Sequence, residues 1–278
     1  MHPIERLRWV ARSPEGNSSL VAAEAADALA GFADDPAGLV IASRRLIERR
    51  PASAPLWWLA SRVLCSLEPA FEAMDAAADL ERDRTPVALA GDLPGGTIAI
   101  VGWPDQAGTA LRMRGRMGGG EDTADRVVVV PSGNEGWGCA DWLQGHGVDA
   151  RLLRAGEVTA AARRCVLVLL EAAAVGPDSF LAAAGSAALA AAAGDAKRPV
   201  WLVAGVGRVL PGPLYDALVR RVGDDPRELH QPPPTHTAFE VVPLDVVDEI
   251  TGPAGPVPRT QLARPSCPVA AELLRFSG

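Results

Sequence analysis

The carboxylate of Glu171 is the residue in this chain best placed for chemistry. It follows Val166-Leu167-Val168-Leu169-Leu170, an apolar run that reads as a buried strand, so its side chain is expected where that strand ends. A carboxylate there can move a proton if it comes within hydrogen-bond reach of a substrate. Gly102-Trp103-Pro104-Asp105-Gln106 lies between a second apolar run and a helical pattern. Asp105 either caps that helix or, with Gln106, contacts a ligand, and the amides near Gly108 and Thr109 could hold a phosphate at the helix N-terminus. Pro131-Ser132-Gly133-Asn134-Glu135-Gly136 is either an anion-binding loop offering amides or a plain glycine-rich turn. Gly176-Pro177-Asp178-Ser179 is a dense run of turn formers, in which Asp178 serves the turn first and a ligand second.

Other reactive residue types carry less. Cys65, Cys139, Cys165 and Cys267 are scattered, with no C-x-x-C pair, which argues against a zinc site or a disulfide framework and fits reduced, cytoplasmic thiols. Cys139 is expected to open a helix, a position that lowers a thiol pKa, but a buried inert thiol is the plainer reading. His2, His146, His230 and His236 have no metal-ligand spacing and suit surface or packing roles. Lys197 is the sole lysine and sits in a turn-like Gly194-Asp195-Ala196-Lys197-Arg198-Pro199, a poor setting for a Schiff base. No G-x-x-x-x-G-K-[ST] loop and no G-x-G-x-x-G fingerprint is present, which excludes a P-loop hydrolase and disfavours a dinucleotide cofactor. No cofactor and no metal are expected.

The elements that must position these residues fall into two stretches. The first 86 residues read helical, with small and apolar residues at helical spacing over Leu20–Phe32 and Leu39–Ile47, and Pro36 closing the first of these helices. A further helix starts at Trp57-Trp58-Leu59 and runs toward Leu80; the paired tryptophans suit core or interface packing. From residue 87 to 278 the pattern becomes short strands at Thr97–Val101, Val127–Val130, Ala150–Leu153, Val166–Leu170 and Val200–Ala204. Helices are expected between them at Gln106–Arg112, Gly138–Gly145, Glu157–Arg163 and Ala182–Ala193. This alternation predicts an α/β chain, an N-terminal helical domain (1–86) followed by a mostly parallel, Rossmann-like sheet domain (87–278). Ligands in such sheets collect beyond the carboxyl ends of the strands, which selects the loops at 102–106, 131–135, 171–179 and 205–208. Residues 224–237, with Pro226, Pro232, Pro233 and Pro234, read as an irregular loop, and Val269–Phe276 as a short terminal helix.

The formal net charge of −7 argues against broad capture of nucleic acid. No apolar run is long enough to span a membrane, and the first residues lack the apolar stretch of a secretory signal.

The order of several weak motifs resembles the translation initiation factor 2B alpha/beta/delta family and its relatives, the methylthioribose-1-phosphate and ribose-1,5-bisphosphate isomerases. Arg50-Pro51-Ala52-Ser53-Ala54-Pro55-Leu56 resembles the family's R-P-T-x-x-x-L, Val127 to Gly133 its strand and E-S-R-P loop, and Phe239-Glu240-Val241-Val242-Pro243 its F-D-x-x-P. Asp92-Leu93-Pro94-Gly95-Gly96 with the strand after it resembles the opening of the family's second domain. Glu171-Ala172-Ala173 stands where the family has G-A-D, and Ala182-Ala183-Ala184-Gly185-Ser186 where it has N-K-x-G-[ST]. Gly185, Ser186 and Ser132 match the pattern; the carboxylate and the Asn-Lys pair do not, and Gly133 replaces an arginine.

The resemblance implies a NagB/RpiA/CoA transferase-like sheet, a homodimer and a protein partner. It also implies a sugar-phosphate or nucleotide site drawn from Gly102, Asp105, Gln106, Ser132, Gly133, Glu171, Asp178, Gly185 and Ser186. The missing polar residues imply a diverged, non-catalytic member. The competing expectation is an aldose–ketose isomerase acting on a phosphorylated sugar, in which Glu171, across roughly 6–7 Å of strand, or Asp105 replaces the lost carboxylate. A third reading sets the family aside and keeps only a generic α/β small-molecule binder.

Overall fold

The computed structural model describes residues 18–117, 126–132, 135–154, 156–223 and 238–274. Five helices come first: α1 (Ser18–Ala30), α2 (Pro36–Arg49), α3 (Ala54–Cys65), α4 (Pro69–Glu81) and α5 (Thr85–Asp92). Prolines punctuate this run by opening helices. Pro36, expected to close α1, is the first residue of α2, with the Asp35 side chain accepting from the Gly38 amide at 2.9 Å. Proline fits there because the first helical turn has no use for its missing N–H. The stretch expected as one helix toward Leu80 is two, broken at Ser66-Leu67-Glu68 ahead of Pro69.

The tandem tryptophans are core residues. Trp57 and Trp58 are fully buried, and each indole N–H has a partner: the Pro51 carbonyl at 3.0 Å and Ser266 Oγ at 2.9 Å. The second bond belongs to a C-terminal segment lying along α3. Ser61 Oγ donates to the Pro268 carbonyl at 2.6 Å and accepts the Ala270 amide at 2.9 Å. Cys267, Ala270 and Leu273 thereby join the same hydrophobic cluster as Leu29, Leu46 and Leu59. The short helix α11 (Ala271–Leu274) falls inside the expected terminal helix.

The sheet follows, with β1 (Thr97–Val101), α6 (Asp105–Met117), β2 (Arg126–Val130), α7 (Glu135–Gly145), β3 (Asp149–Leu152), α8 (Val158–Arg164) and β4 (Leu167–Val175). After it come β5 (Ser179–Ala183), α9 (Ser186–Asp195), β6 (Val200–Val203), α10 (Gly212–Gly223), β7 (Phe239–Pro243), β8 (Glu249–Gly252) and β9 (Gly255–Pro258). The strand order is β3-β2-β1-β4-β6-β8-β9, parallel throughout except for the β8–β9 pair. Successive side chains bury on opposite faces: Ile98, Ile100, Leu167 and Leu169 pack on one side, Ala99, Val101, Val168 and Leu170 on the other. Helices on both faces therefore explain strands without polar alternation. The α/β, mostly parallel expectation is met.

Two local readings differ from it. First, β4 does not end at Leu170. Its first half pairs in parallel with β6, up to Glu171 opposite Val203. Its second half pairs antiparallel with β5, which in turn pairs with β7. Glu171 therefore sits inside a nine-residue strand, at the junction of two sheets. Second, Ala182 and Ala183 belong to β5, and α9 begins only at Ser186. An alanine run suits either conformation, and here pairing with β4 and β7 decides.

Candidate functional site

Loops after β1, β2 and β5 meet beyond the carboxyl ends of the parallel strands, where ligands collect in such sheets. Gly102, Ser132, Ala183 and Gly185 are close together: a Cβ on Gly102 would lie 3.1 Å from that of Ser132 and 3.7 Å from that of Ala183. Gly185 holds φ +103°, a region open to glycine, and its missing side chain faces Val101, Val130 and the Pro131 carbonyl. Trp103, partly exposed, lies against the backbone of Gly138 and 6.2 Å from the ring of Trp142. Trp137, next to Gly138 in sequence, is 67% exposed.

Two helix N-termini point into this region, and both are occupied by carboxylates of the chain itself. Glu171 Oε2 accepts the Gln106 and Ala107 amides at 2.9 Å each, capping α6. Its Oε1 lies 3.0 Å from Nη2 of Arg208, and both side chains are buried. Arg208 also donates Nη1 to the Ala172 carbonyl. Burial pushes the Glu171 carboxyl above its ordinary value and the Asp105 carboxylate adds to the rise; Arg208 and the two amides oppose it. At the second helix, Glu240 Oε1 accepts the Gly185 amide at 2.9 Å and the Ala187 amide at 2.8 Å. A helix N-terminus binds an anion through free N–H groups, and these amides are already paired.

The network extends toward the N-terminal helices. Asp83, between α4 and α5, accepts from the Thr85 amide (2.9 Å) and hydroxyl (2.6 Å), from Gln106 Nε2 (2.6 Å) and from the Val206 amide (2.9 Å). Gly205 permits this: a Cβ there would come within 2.4 Å of Asp83 and Gln106 side-chain oxygens. Gln106 Oε1 and Arg208 Nε remain buried without partners.

Several sequence expectations change on this geometry. Asp105 is in the first turn of α6, but the cap comes from Glu171. The Gly108 amide is bonded to the Pro104 carbonyl at 3.0 Å, so it is spent inside the helix. Gln106 is buried and faces Asp83. Asp178 is exposed in the β4–β5 hairpin, four residues of strand and a turn beyond Glu171, and its carbonyl accepts the Leu244 amide. Ser186 is buried and donates to the Ala183 carbonyl at 2.7 Å. Gly133 and Asn134 lie outside the described residues, as do His2, His230 and His236. The structure thus brings Gly102, Gln106, Ser132, Glu171 and Gly185 to one end of the sheet and leaves Asp178 apart.

The remaining reactive groups are quiet. All four cysteines are free. Burial pushes the Cys139 thiol up to about 12, helped by the nearby Glu171 carboxylate, so no thiolate forms near neutrality. Cys165 is raised by burial and donates to the Ala162 carbonyl. His146 Nδ1 bonds the Trp142 carbonyl at 2.7 Å, with its ring against that indole. Lys197 is exposed, with φ 54° in its turn. Among the described residues no cluster of histidine, cysteine and acidic side chains can hold a metal.

At the level of sequence, no protein-family model and no curated protein matches the chain. Solved structures do. The Pyrococcus horikoshii OT3 translation initiation factor eIF-2B superposes with a TM-score of 0.73 at 17% identity, over 92% of this chain and 96% of that one. A chain of the tetrameric eIF2B-beta2-delta2 complex of C. thermophilum gives 0.70 at 18% identity, covering 94% and 91%. The 5-methylthioribose 1-phosphate isomerase of P. horikoshii OT3 gives 0.64 at 17%, covering 92% and 84%. The chain has the initiation factor 2B fold. That fold is shared by translation initiation factor eIF2B chains and by an isomerase, so it leaves the chemistry to the site. No described helix is long and apolar enough to cross a membrane.

Three residues central to the site were not singled out from sequence. Arg208 lies in the loop after β6 that the strand-end rule selected. Asp83 is hidden in the charged run Glu81-Arg82-Asp83-Arg84. Glu240 was visible only as part of the F-D-x-x-P resemblance, without a role.

Proposed function

We propose that this protein is a non-catalytic, initiation factor 2B-like subunit, acting through assembly as a homodimer and with a protein partner. The observation that carries this reading is the double occupation of the sheet's mouth by Glu171 and Glu240. General acid–base catalysis needs a group free to reach substrate, and Glu171 is committed to two amides and Arg208. Phosphate recognition needs free donors, and the Gln106, Ala107, Gly185 and Ala187 amides are already engaged. Alanine at 173, 182 and 183 removes the polar groups that the family resemblance places there, and a thiol held near 12 supplies no nucleophile.

One feature favours the isomerase reading instead: a carboxyl raised by burial is suited to donate a proton. A single protein preparation separates the two. Thermal shift with ribose phosphates, methylthioribose-1-phosphate and purine nucleotides is expected to give no saturable stabilisation. Isomerase turnover is expected at buffer level, and sedimentation should report a dimer. Turnover that disappears in Glu171→Gln would overturn the subunit reading. A saturable shift with one compound, without turnover, would add a ligand to it.

A further inference from the structure

The outer face of α4 combines two features rarely left bare together. Leu67, just before the helix, is fully exposed, and Phe71 and Met74 are 66% and 65% exposed. Phe71 and Met74, three residues apart on the helix, share one stripe, and Leu67 stands in the bend that leads into it. The buried side of the helix is formed by Ala73, Ala76 and Leu80, so the stripe points away from the core. Scattered exposed apolar residues need no explanation, but three large ones in a row mark a contact surface.

Beside the stripe runs an acidic ridge. Glu72, Asp75 and Asp79 all converge on Arg62 of α3, with Asp75 and Asp79 at 2.7 Å, while Arg62 lies over the Trp58 ring, 4.6 Å from its centroid. One guanidinium against three carboxylates leaves an excess of two negative charges. Asp75 and Asp79 keep 49% and 45% of their side chains exposed, so they have oxygens to spare. Exposed Glu68 and Glu81 add negative charge, Arg82 at the C-cap offsets one of them, and α4 itself contains no basic residue.

We propose that this face docks a cationic amphipathic segment of a partner protein, whose apolar side chains cover Leu67, Phe71 and Met74 and whose lysines or arginines meet Asp75 and Asp79. Charge selects this occupant. A second copy of the chain would set an acidic ridge against an acidic ridge, with a formal charge of −7 on each molecule. A basic segment gains both apolar burial and ionic attraction, in the manner of helix-in-groove recognition. The inference is independent of whether the sheet's mouth binds a ligand, because the two regions share no residue.

The test is fluorescence anisotropy with the full chain and three labelled probes: a short helical Leu/Lys peptide, its Leu/Glu counterpart and a Leu/Lys scramble without helical periodicity. The periodic cationic peptide is expected to bind, the acidic one and the scramble not. Its affinity should fall roughly tenfold or more in Phe71→Ser/Met74→Ser. Asp75→Asn/Asp79→Asn should weaken it and flatten its salt dependence. Ile41→Ser, which alters an exposed apolar residue on α2, should leave it unchanged. These positions are solvent-facing, and circular dichroism checks that each variant is folded. Equal binding to the Phe71/Met74 variant, indifference to peptide charge or no binding overturns the proposal. Self-association abolished by Phe71→Ser/Met74→Ser would assign the face to a second copy and overturn it equally.

Discussion

The two capped helix ends at the sheet's mouth use the same device in different surroundings. Glu171 reaches α6 from β4, and Glu240 reaches α9 from β7; each gives one oxygen to two amides. Glu171 is buried and carries Arg208 as a counter-ion, whereas Glu240 is half-buried and has no ion pair among the described residues. A carboxylate near water can hold a cap unaided. One inside the protein needs a cation, because two amide bonds alone do not replace its hydration. Arg208 is thus part of the cap, and the cap extends through Gln106 to Asp83.

Removing the counter-ion is the strongest way to break this contrast. Arg208→Met strips the buried Glu171 carboxyl of its counter-ion and should cost about 3–5 kcal/mol near neutral pH, measured by urea unfolding. A cost like that of an exposed pair, about 0–1 kcal/mol, would erase the distinction between the two caps.

The pH dependence sharpens the comparison. Burial raises the Glu171 carboxyl above its ordinary 4.5. Its contribution to stability is therefore fully present below that value and is lost as pH rises through the folded-state value. The stability difference between wild type and Glu171→Gln should shrink with rising pH in that window, by at most about 1.4 kcal/mol per pH unit. In the Arg208→Met background the decline should continue to higher pH. A difference that grows with pH would mean that Arg208 outweighs burial.

The smallest effect belongs to the second cap. Glu240→Ala should cost about 1 kcal/mol, the ordinary worth of a helix cap, read from the thermal midpoint. It also frees the Gly185 and Ala187 amides. A stabilising shift with inorganic phosphate in this variant and not in wild type would show that Glu240 is what closes the anion site.

Much of the sheet was legible because apolar runs such as Val127–Val130 bury both faces and resist other readings. The alanine-rich stretch from 172 to 184 was harder, since its β5 portion depends on β7, some sixty residues further on. The site was legible in location more than in wiring. Strand-end logic found Gly102, Gln106, Ser132 and Glu171, but not what they bond. Glu171 caps a helix 65 residues earlier, and Asp83 joins a loop 123 residues later. Such partners have no local signature, because any Asp or Glu can serve where the fold happens to bring an unpaired amide.

The C-terminal segment along α3 has a consequence for synthesis. Trp58 and Ser61 find Ser266 and Pro268 only after more than 200 further residues have been made. At bacterial-to-eukaryotic elongation speeds that delay is about 10–40 s. Throughout it the first helices leave the ribosome with an unfinished core and an indole lacking its partner. The helix that carries Trp58 and Ser61 thus waits for its final packing until that later segment is made, which gives a nascent-chain chaperone time to act there.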